Sequence, residues 1–158
     1  MNPAVRRATP SDEPAAAAIV AEYNEAIGVV LRDDPAALRA YLAGPGALWL
    51  AEDQGIAVGC VALRPLPDLA DVTLSLSKGA EVKRLYVRPA YRGLRLAGAL
   101  MDALEAHARD AGYAALYLDT KDDLHAAIRF YDRRGYERIP RYNDNPQATI
   151  FMRRLLSP

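Results

Sequence analysis

The sequence predicts an α/β domain, and three observations predict it. Strand-like and helix-like segments follow one another in the order β-α-α-β-β-β-α-β-α-β-β. The boundaries carry turn chemistry suited to the elements they open or close. An apolar run ending in Leu85-Tyr86-Val87 turns at Pro89 into an Arg92-Gly93 loop and then a helix with an apolar stripe. A strand, a glycine loop and a helix start together favour an anion. The first amides of a helix lack internal partners, and its dipole attracts negative charge.

The elements are justified in order. Val5 to Thr9 reads as a strand. Ser11-Asp12-Glu13-Pro14 opens a helix, with Ser11 as N-cap and acids in the first turn; Gly28 ends it. Asp34-Pro35 opens a second helix, which stops at Gly44-Pro45-Gly46. Ala47 to Asp53 and Ile56 to Arg64 are strands joined by Gln54-Gly55, a hairpin signal. The connection from Pro65 to Gly79 carries an alternation at Val72 to Leu76 that suits a short strand or a flap. Glu81 to Val87 is the central strand. Arg92 to Ala111 is a helix with its stripe at Ala97, Leu100, Leu104, Ala108 and Ala111. Tyr113 to Thr120 is a strand and Asp123 to Arg134 a helix. Tyr136 to Ile139 and Ala148 to Leu155 form the last strand pair, joined by a polar loop from Arg141 to Pro146.

Composition narrows the function. The 158 residues suit one domain, 1–158, with one sizeable core. Lys+Arg and Asp+Glu are both 20, so no global field attracts nucleic acid or an anionic membrane, and neither is expected as a partner. The single cysteine, Cys60, excludes an internal disulfide and a cysteine metal cluster and suits a reducing cytosol. No apolar run has signal or transmembrane length, so a cytoplasmic protein is expected.

Two motifs carry a family resemblance. Val87-Arg88-Pro89-Ala90-Tyr91-Arg92-Gly93-Leu94-Arg95-Leu96-Ala97 resembles the phosphate loop of the GNAT superfamily of acyl-CoA N-acyltransferases, Gln/Arg-x-x-Gly-x-Gly/Ala after Val-x-Pro-x-Tyr-Arg. Arg92 and Ala97 fit, and Arg95 stands where the family usually has Gly. Ala127-Ile128-Arg129-Phe130-Tyr131-Asp132-Arg133-Arg134-Gly135-Tyr136 is similar to the family's Ala-x-x-x-Tyr-x-x-x-Gly-Phe/Tyr stretch. With the order of elements, the resemblance covers nearly the whole chain. It implies a GNAT-like mixed, mostly antiparallel sheet with helices on both faces. It also implies an N-acetyltransferase that moves an acetyl group from acetyl-CoA, with no metal, to the amine of a small molecule or amino acid. A protein N-terminus or lysine as acceptor, or a non-catalytic acyl-CoA sensor, are the alternatives. An exposed final strand could pair across a homodimer, as in many relatives.

The resemblance assigns coenzyme contacts to Leu85, Tyr86, Val87, Arg92, Gly93, Leu94, Arg95, Leu96, Ala97, Gly98 and Tyr131. Amides from Arg92 to Ala97 would ring the pyrophosphate. A helical φ at Arg95 would keep its Cβ clear, and its guanidinium would either meet phosphate or face solvent. Gly98 in a helix costs about 1 kcal/mol against Ala, which close packing would explain.

The family's motif makes Tyr131 the general acid. A phenol at roughly 10 stays protonated at neutral pH and can protonate a leaving thiolate, whose thiol titrates near ~8.5. The other role for Tyr131 is packing beside Phe130. Glu81 is the candidate base or a solvated acid at a strand end. A base matters because a lysine-type amine at ~10.4 is neutral only about 1 part in 2500 at pH 7, a cost of roughly 4.6 kcal/mol.

Strand alternation puts Glu81, Lys83, Leu85 and Val87 on one face and Val82, Arg84 and Tyr86 on the other. Arg84 either faces the acceptor or pairs with Glu81 or Asp119. Asp119 is a helix cap or a second acid. The family's acceptor pocket implies Tyr23, Asn24 and Glu25 near the first two helices, and Tyr142, Asn143 and Asn145 on the last loop. Asn143 and Asn145 also suit ordinary turns. His107 reads as solvated. The family's coenzyme-contacting Asn falls at Leu124, which leaves neighbouring His125 as a surface residue or a substitute. Cys60 reads as a small buried residue rather than a nucleophile.

Overall fold

Local signals hold wherever a cap or a left-handed turn is unambiguous. The computed structural model describes residues 2–30, 32–66 and 78–156. In it, α1 (Glu13–Ile27) ends at Gly28, whose φ of 73° lets its amide bond back to the Asn24 carbonyl. The Asp34 carboxylate accepts from the Ala37 amide at 2.8 Å, and Pro35 opens α2 (Pro35–Ala43). The start of α1 differs from the sequence expectation. A 3-10 turn (Pro10–Asp12) precedes it, and the Thr9 amide donates to Asp12 Oδ2 at 2.7 Å. Ser11 therefore lies inside the turn rather than capping the helix, because Pro10 has already fixed the first helical position.

The strands are β1 (Ala4–Arg7), β2 (Ala47–Asp53), β3 (Ile56–Leu66), β4 (Gly79–Val87), β5 (Ala115–Thr120), β6 (Glu137–Ile139) and β7 (Ile150–Leu155). They form a seven-stranded sheet in the order β1-β2-β3-β4-β5-β7-β6. β4 and β5 pair in parallel, and the β1–β2, β2–β3, β5–β7 and β6–β7 pairs are antiparallel. With α3 (Leu96–Asp110) and α4 (His125–Arg133), four helices and seven strands give the expected element order among the described residues. The Val72 to Leu76 alternation lies outside the described residues.

The chain divides into two compact units, Met1–Arg64 with Val82–His107 and Pro65–Glu81 with Ala108–Pro158. In the first, Ala16, Ile19 and Val20 of α1 and Leu38, Tyr41 and Leu42 of α2 bury against Leu48, Leu50, Cys60 and Ala62 of the hairpin. Trp49 alternates to the other face, where its ring meets His107 of α3 at 5.3 Å and the Arg7 guanidinium stacks on it. His107 Nδ1 also lies 3.3 Å from Arg7 Nη1, so this histidine is half-buried in a cluster rather than solvated. The hairpin turn has φ of 52° at Gln54 and 78° at Gly55, the left-handed pair that matches strand twist. In the second unit β5 is wholly buried from Ala115 to Leu118 and pairs along its length with β7.

Candidate active site

The strand-loop-helix segment is built by three anchors. Beyond Val87 the Arg88 amide donates to the Val58 carbonyl at 2.9 Å. A 3-10 turn (Pro89–Tyr91) follows, and the Tyr91 hydroxyl donates to Asp53 Oδ2 at 2.7 Å. That bond holds the Asp53 carboxyl below its ordinary range and raises the Tyr91 phenol. The Arg88 guanidinium makes a two-pronged pair with Glu22 of α1 at 2.6 and 2.9 Å.

The loop itself departs from expectation in an informative way. α3 starts at Leu96, not Arg92, and the Arg92 amide is taken by the Pro89 carbonyl. Gly93 has φ of 84° and Arg95 φ of 61°, so Arg95 is left-handed rather than helical. The position where the family usually has Gly is thus one where the backbone needs a positive φ. Arg95 supplies it at a cost of about 1–2 kcal/mol that glycine would avoid. The Arg95 carbonyl accepts the first helical bond, from Ala99 at 3.1 Å. Among the described residues none accepts from the amides of Gly93, Leu94, Arg95, Leu96, Ala97 and Gly98. Six consecutive donors without a backbone acceptor at a helix start, two of them on left-handed residues, are chemistry that suits an anion. Gly93, Leu94 and Arg95 are exposed, while Leu96 is buried.

On the other candidate positions of this unit, the structure is specific. Arg84 carries φ of 58° inside β4, and its Nε donates to Asp33 Oδ2 at 2.9 Å. Its guanidinium also stacks on Tyr23 at 5.6 Å. Its partner is therefore Asp33, not Glu81 or Asp119: the residues before α2 reach the strand, which spacing could not show. Burial opposes its charge, but the Asp33 hydrogen bond and carboxylate outweigh that and raise its pKa. Tyr86 packs edge-on against Tyr23 at 6.4 Å and lines a shallow groove with Glu22 and Glu25. Leu85 is half-buried and Val87 buried. The Cys60 thiol donates to the Arg84 carbonyl, and burial pushes its pKa up to about 12, which suits packing and not nucleophilic chemistry.

The second unit gathers the acidic and amide side chains. Glu81 is fully buried, not solvated. Its Oε2 accepts from the Tyr142 hydroxyl at 2.7 Å and from Asn143 Nδ2 at 3.1 Å. The same Asn143 nitrogen donates to Asp119 Oδ2 at 2.6 Å, and Asn145 Nδ2 donates to Asp119 Oδ1 at 3.2 Å. Asp119 is thus a member of this cluster rather than a cap. α4 begins after Leu124 with no side-chain cap. Asn143 Oδ1 accepts from the Asn145 amide, and Asn145 Oδ1 from the Gln147 amide, so each asparagine makes a turn and holds a carboxylate. The Tyr142 ring is wedged between Tyr117 at 5.4 Å and Phe151 at 5.6 Å.

Two residues matter here that sequence reasoning missed. Asp33 is one. The other is Arg141, which donates to the carbonyls of Asn143, Asn145 and Ala148. The only signal for Arg141 was its place at the start of an Asn-rich loop.

Tyr131 sits on α4, 8% exposed, with ring contacts to Phe130 at 5.5 Å and Tyr136 at 5.6 Å. His125 is exposed at the first turn of α4. Among the described residues no group of three or more His, Cys, Asp or Glu side chains could hold a metal ion. No helix of the described residues is long and apolar enough to cross a membrane.

Comparison with known proteins bears on this arrangement. The sequence profile of the acetyltransferase (GNAT) family matches residues 13–136. An uncharacterised N-acetyltransferase of Schizosaccharomyces pombe is 34% identical over 144 residues, 87% of this chain and 83% of its own. An acetyltransferase of the GNAT family from Staphylococcus aureus superposes with a TM-score of 0.80 at 21% identity, covering 99% of this chain and 100% of that one. A Salmonella typhimurium protein assigned as an acetyltransferase, solved with its cofactor acetyl-CoA, gives a TM-score of 0.75 at 20% identity over 100% and 96% of the two chains. Structural likenesses at these identities bear on the fold.

Proposed function

The chain belongs to the acetyltransferase (GNAT) family and is an acetyl-CoA-dependent N-acetyltransferase, and we propose that its acceptor is the primary amine of a small molecule or amino acid, acetylated by direct attack. The observation that carries the mechanism is Glu81. It is a fully buried carboxylate whose Oε2 is oriented by two donors, Tyr142 and Asn143. A carboxylate so held has one fixed direction in which to accept a proton, which is what a general base needs.

In this reading Glu81 takes the proton of the attacking amine as the C–N bond forms. The thioester C–S bond breaks, and Tyr131 donates its phenolic proton to the departing sulfur. The amides from Gly93 to Gly98 hold the pyrophosphate of the coenzyme, and Arg95 adds charge beside it. Acetyl-CoA supplies the acyl group and the leaving thiolate. Cys60 takes no part, since a buried thiol titrating at about 12 forms no acyl-enzyme near neutrality. The asparagines and Tyr142 line the acceptor side with polar and aromatic groups, which favours a small polar amine.

The test is thiol release from acetyl-CoA with a panel of small amines, free amino acids, and peptides bearing a free N-terminus or a lysine. The highest kcat/KM is expected with a small amine or amino acid. Glu81→Gln should lose at least a hundredfold in that kcat/KM with acetyl-CoA affinity unchanged. A peptide that outperforms every small amine would overturn the acceptor reading. A fully active Glu81→Gln would overturn the base.

A further inference from the structure

Arg141 is an exposed residue whose guanidinium nonetheless makes an unusual set of contacts. Its Nη1 donates to the carbonyls of Asn143 at 3.3 Å and Asn145 at 3.0 Å, and its Nη2 donates to the Ala148 carbonyl at 2.9 Å. The same guanidinium lies over the Phe151 ring at 4.6 Å. Three carbonyls of one loop converge on a single planar donor group. No other side chain presents that fork of donors, and a lysine ammonium would offer a point charge in its place. The loop so held delivers Tyr142 and Asn143 to Glu81 Oε2.

We propose that Arg141 is the positioning residue of the catalytic base. It fixes the backbone of the last loop so that Tyr142 and Asn143 orient the Glu81 carboxylate, and it touches neither Glu81 nor any reacting atom itself. The proposal rests on the reading of Glu81 as the base. Tyr142 and Asn143 of the loop donate to Glu81 in this unit, and the same Asn143 nitrogen donates to Asp119 of β5.

The experiment compares Arg141→Met with the wild type and with Arg138→Met, an exposed control on β6. Three quantities are read: kcat/KM with the best acceptor of the amine panel, acetyl-CoA affinity by calorimetry, and the pH titration of the Glu81 carboxyl. The last uses carbon-13 NMR of protein labelled at the glutamate carboxyl, with the resonance assigned through Glu81→Gln. Arg141→Met should lose at least tenfold in kcat/KM while acetyl-CoA affinity stays within twofold. Its Glu81 carboxyl should titrate at higher pH than in the wild type, because donors that favour the ionised form are no longer held in place. In a Tyr142→Phe/Asn143→Ala background the same change should cost less than twofold further, since its route to Glu81 is gone.

An unmoved Glu81 titration, or a full tenfold loss on top of the double variant, would overturn the proposal. Should Arg141→Met fail to fold, Arg141→Lys carries the same three readouts with the same signs. The NMR arm needs no acceptor. It therefore reports on Arg141 even if Glu81→Gln proves active and the base must be sought elsewhere.

Discussion

The Tyr142 hydroxyl donates to Glu81 Oε2 at 2.7 Å, joining the last loop to a fully buried acid. The ring of Tyr142 is held separately, by Tyr117 and Phe151. Tyr142→Phe therefore removes the donor and keeps the packing. A hydrogen bond to a charged group contributes about 1.5–3 kcal/mol. We expect kcat/KM for the amine to fall by roughly tenfold, ~1.4 kcal/mol, with acetyl-CoA affinity unchanged. Steady-state kinetics check this, and an unaffected kcat/KM would mean that the hydroxyl serves only the fold.

Tyr131→Phe tests the acid. The ring stays between Phe130 and Tyr136, and one hydroxyl is lost. A proton donor to the leaving thiolate predicts a fall in kcat of about 10²-fold, with KM for acetyl-CoA little changed. A variant with nearly full kcat would reduce Tyr131 to a packing residue.

Arg95→Gly tests the left-handed loop. Glycine adopts the φ of 61° without strain, so thermal stability should hold or rise. Loss of the guanidinium should weaken acetyl-CoA binding a few-fold and reduce its dependence on ionic strength. Calorimetry at two salt concentrations decides the matter. An identical salt dependence in both proteins would place Arg95 away from the phosphates.

Gly59→Ala probes the approach of β3 to β4. A Cβ at Gly59 would stand 2.8 Å from the Tyr86 carbonyl oxygen, a backbone atom that cannot swing away. The strands would have to separate, at a cost of about 1–3 kcal/mol. Chemical denaturation should show the loss, and wild-type stability would contradict the close approach.

Glu22→Gln gives a pH signature. The Arg88 hydrogen bond holds the Glu22 carboxyl below its ordinary value. Stability from this pair is thus complete above the unfolded value near ~4.3 and is lost as pH falls through the folded one. Wild type should exceed the variant in Tm at pH 6, and the gap should narrow as pH falls below the unfolded value and through the lowered folded one. The pair is more than a third exposed, so solvent screening keeps the difference small. A gap that does not narrow at all with falling pH would point to packing rather than charge.

The sequence alone was enough for the order of elements, the cap at Asp34, the stop at Gly28 and the Gln54-Gly55 hairpin. Each rests on a few adjacent residues and on backbone preferences that tertiary contacts do not alter. The same holds for the strand-loop-helix segment and for the Tyr131 stretch, whose spacing carried the family. Tertiary structure decided what lies far apart along the chain. It paired Arg84 with Asp33, gave Arg95 a left-handed backbone, and drew Glu81, Asp119, Tyr142, Asn143 and Asn145 into one hydrogen-bonded cluster under the hold of Arg141. The physical reason is that periodicity fixes which face a residue lies on. A buried carboxylate or guanidinium instead takes whichever donor or acceptor the fold brings within hydrogen-bond reach, because burial without one costs several kcal/mol.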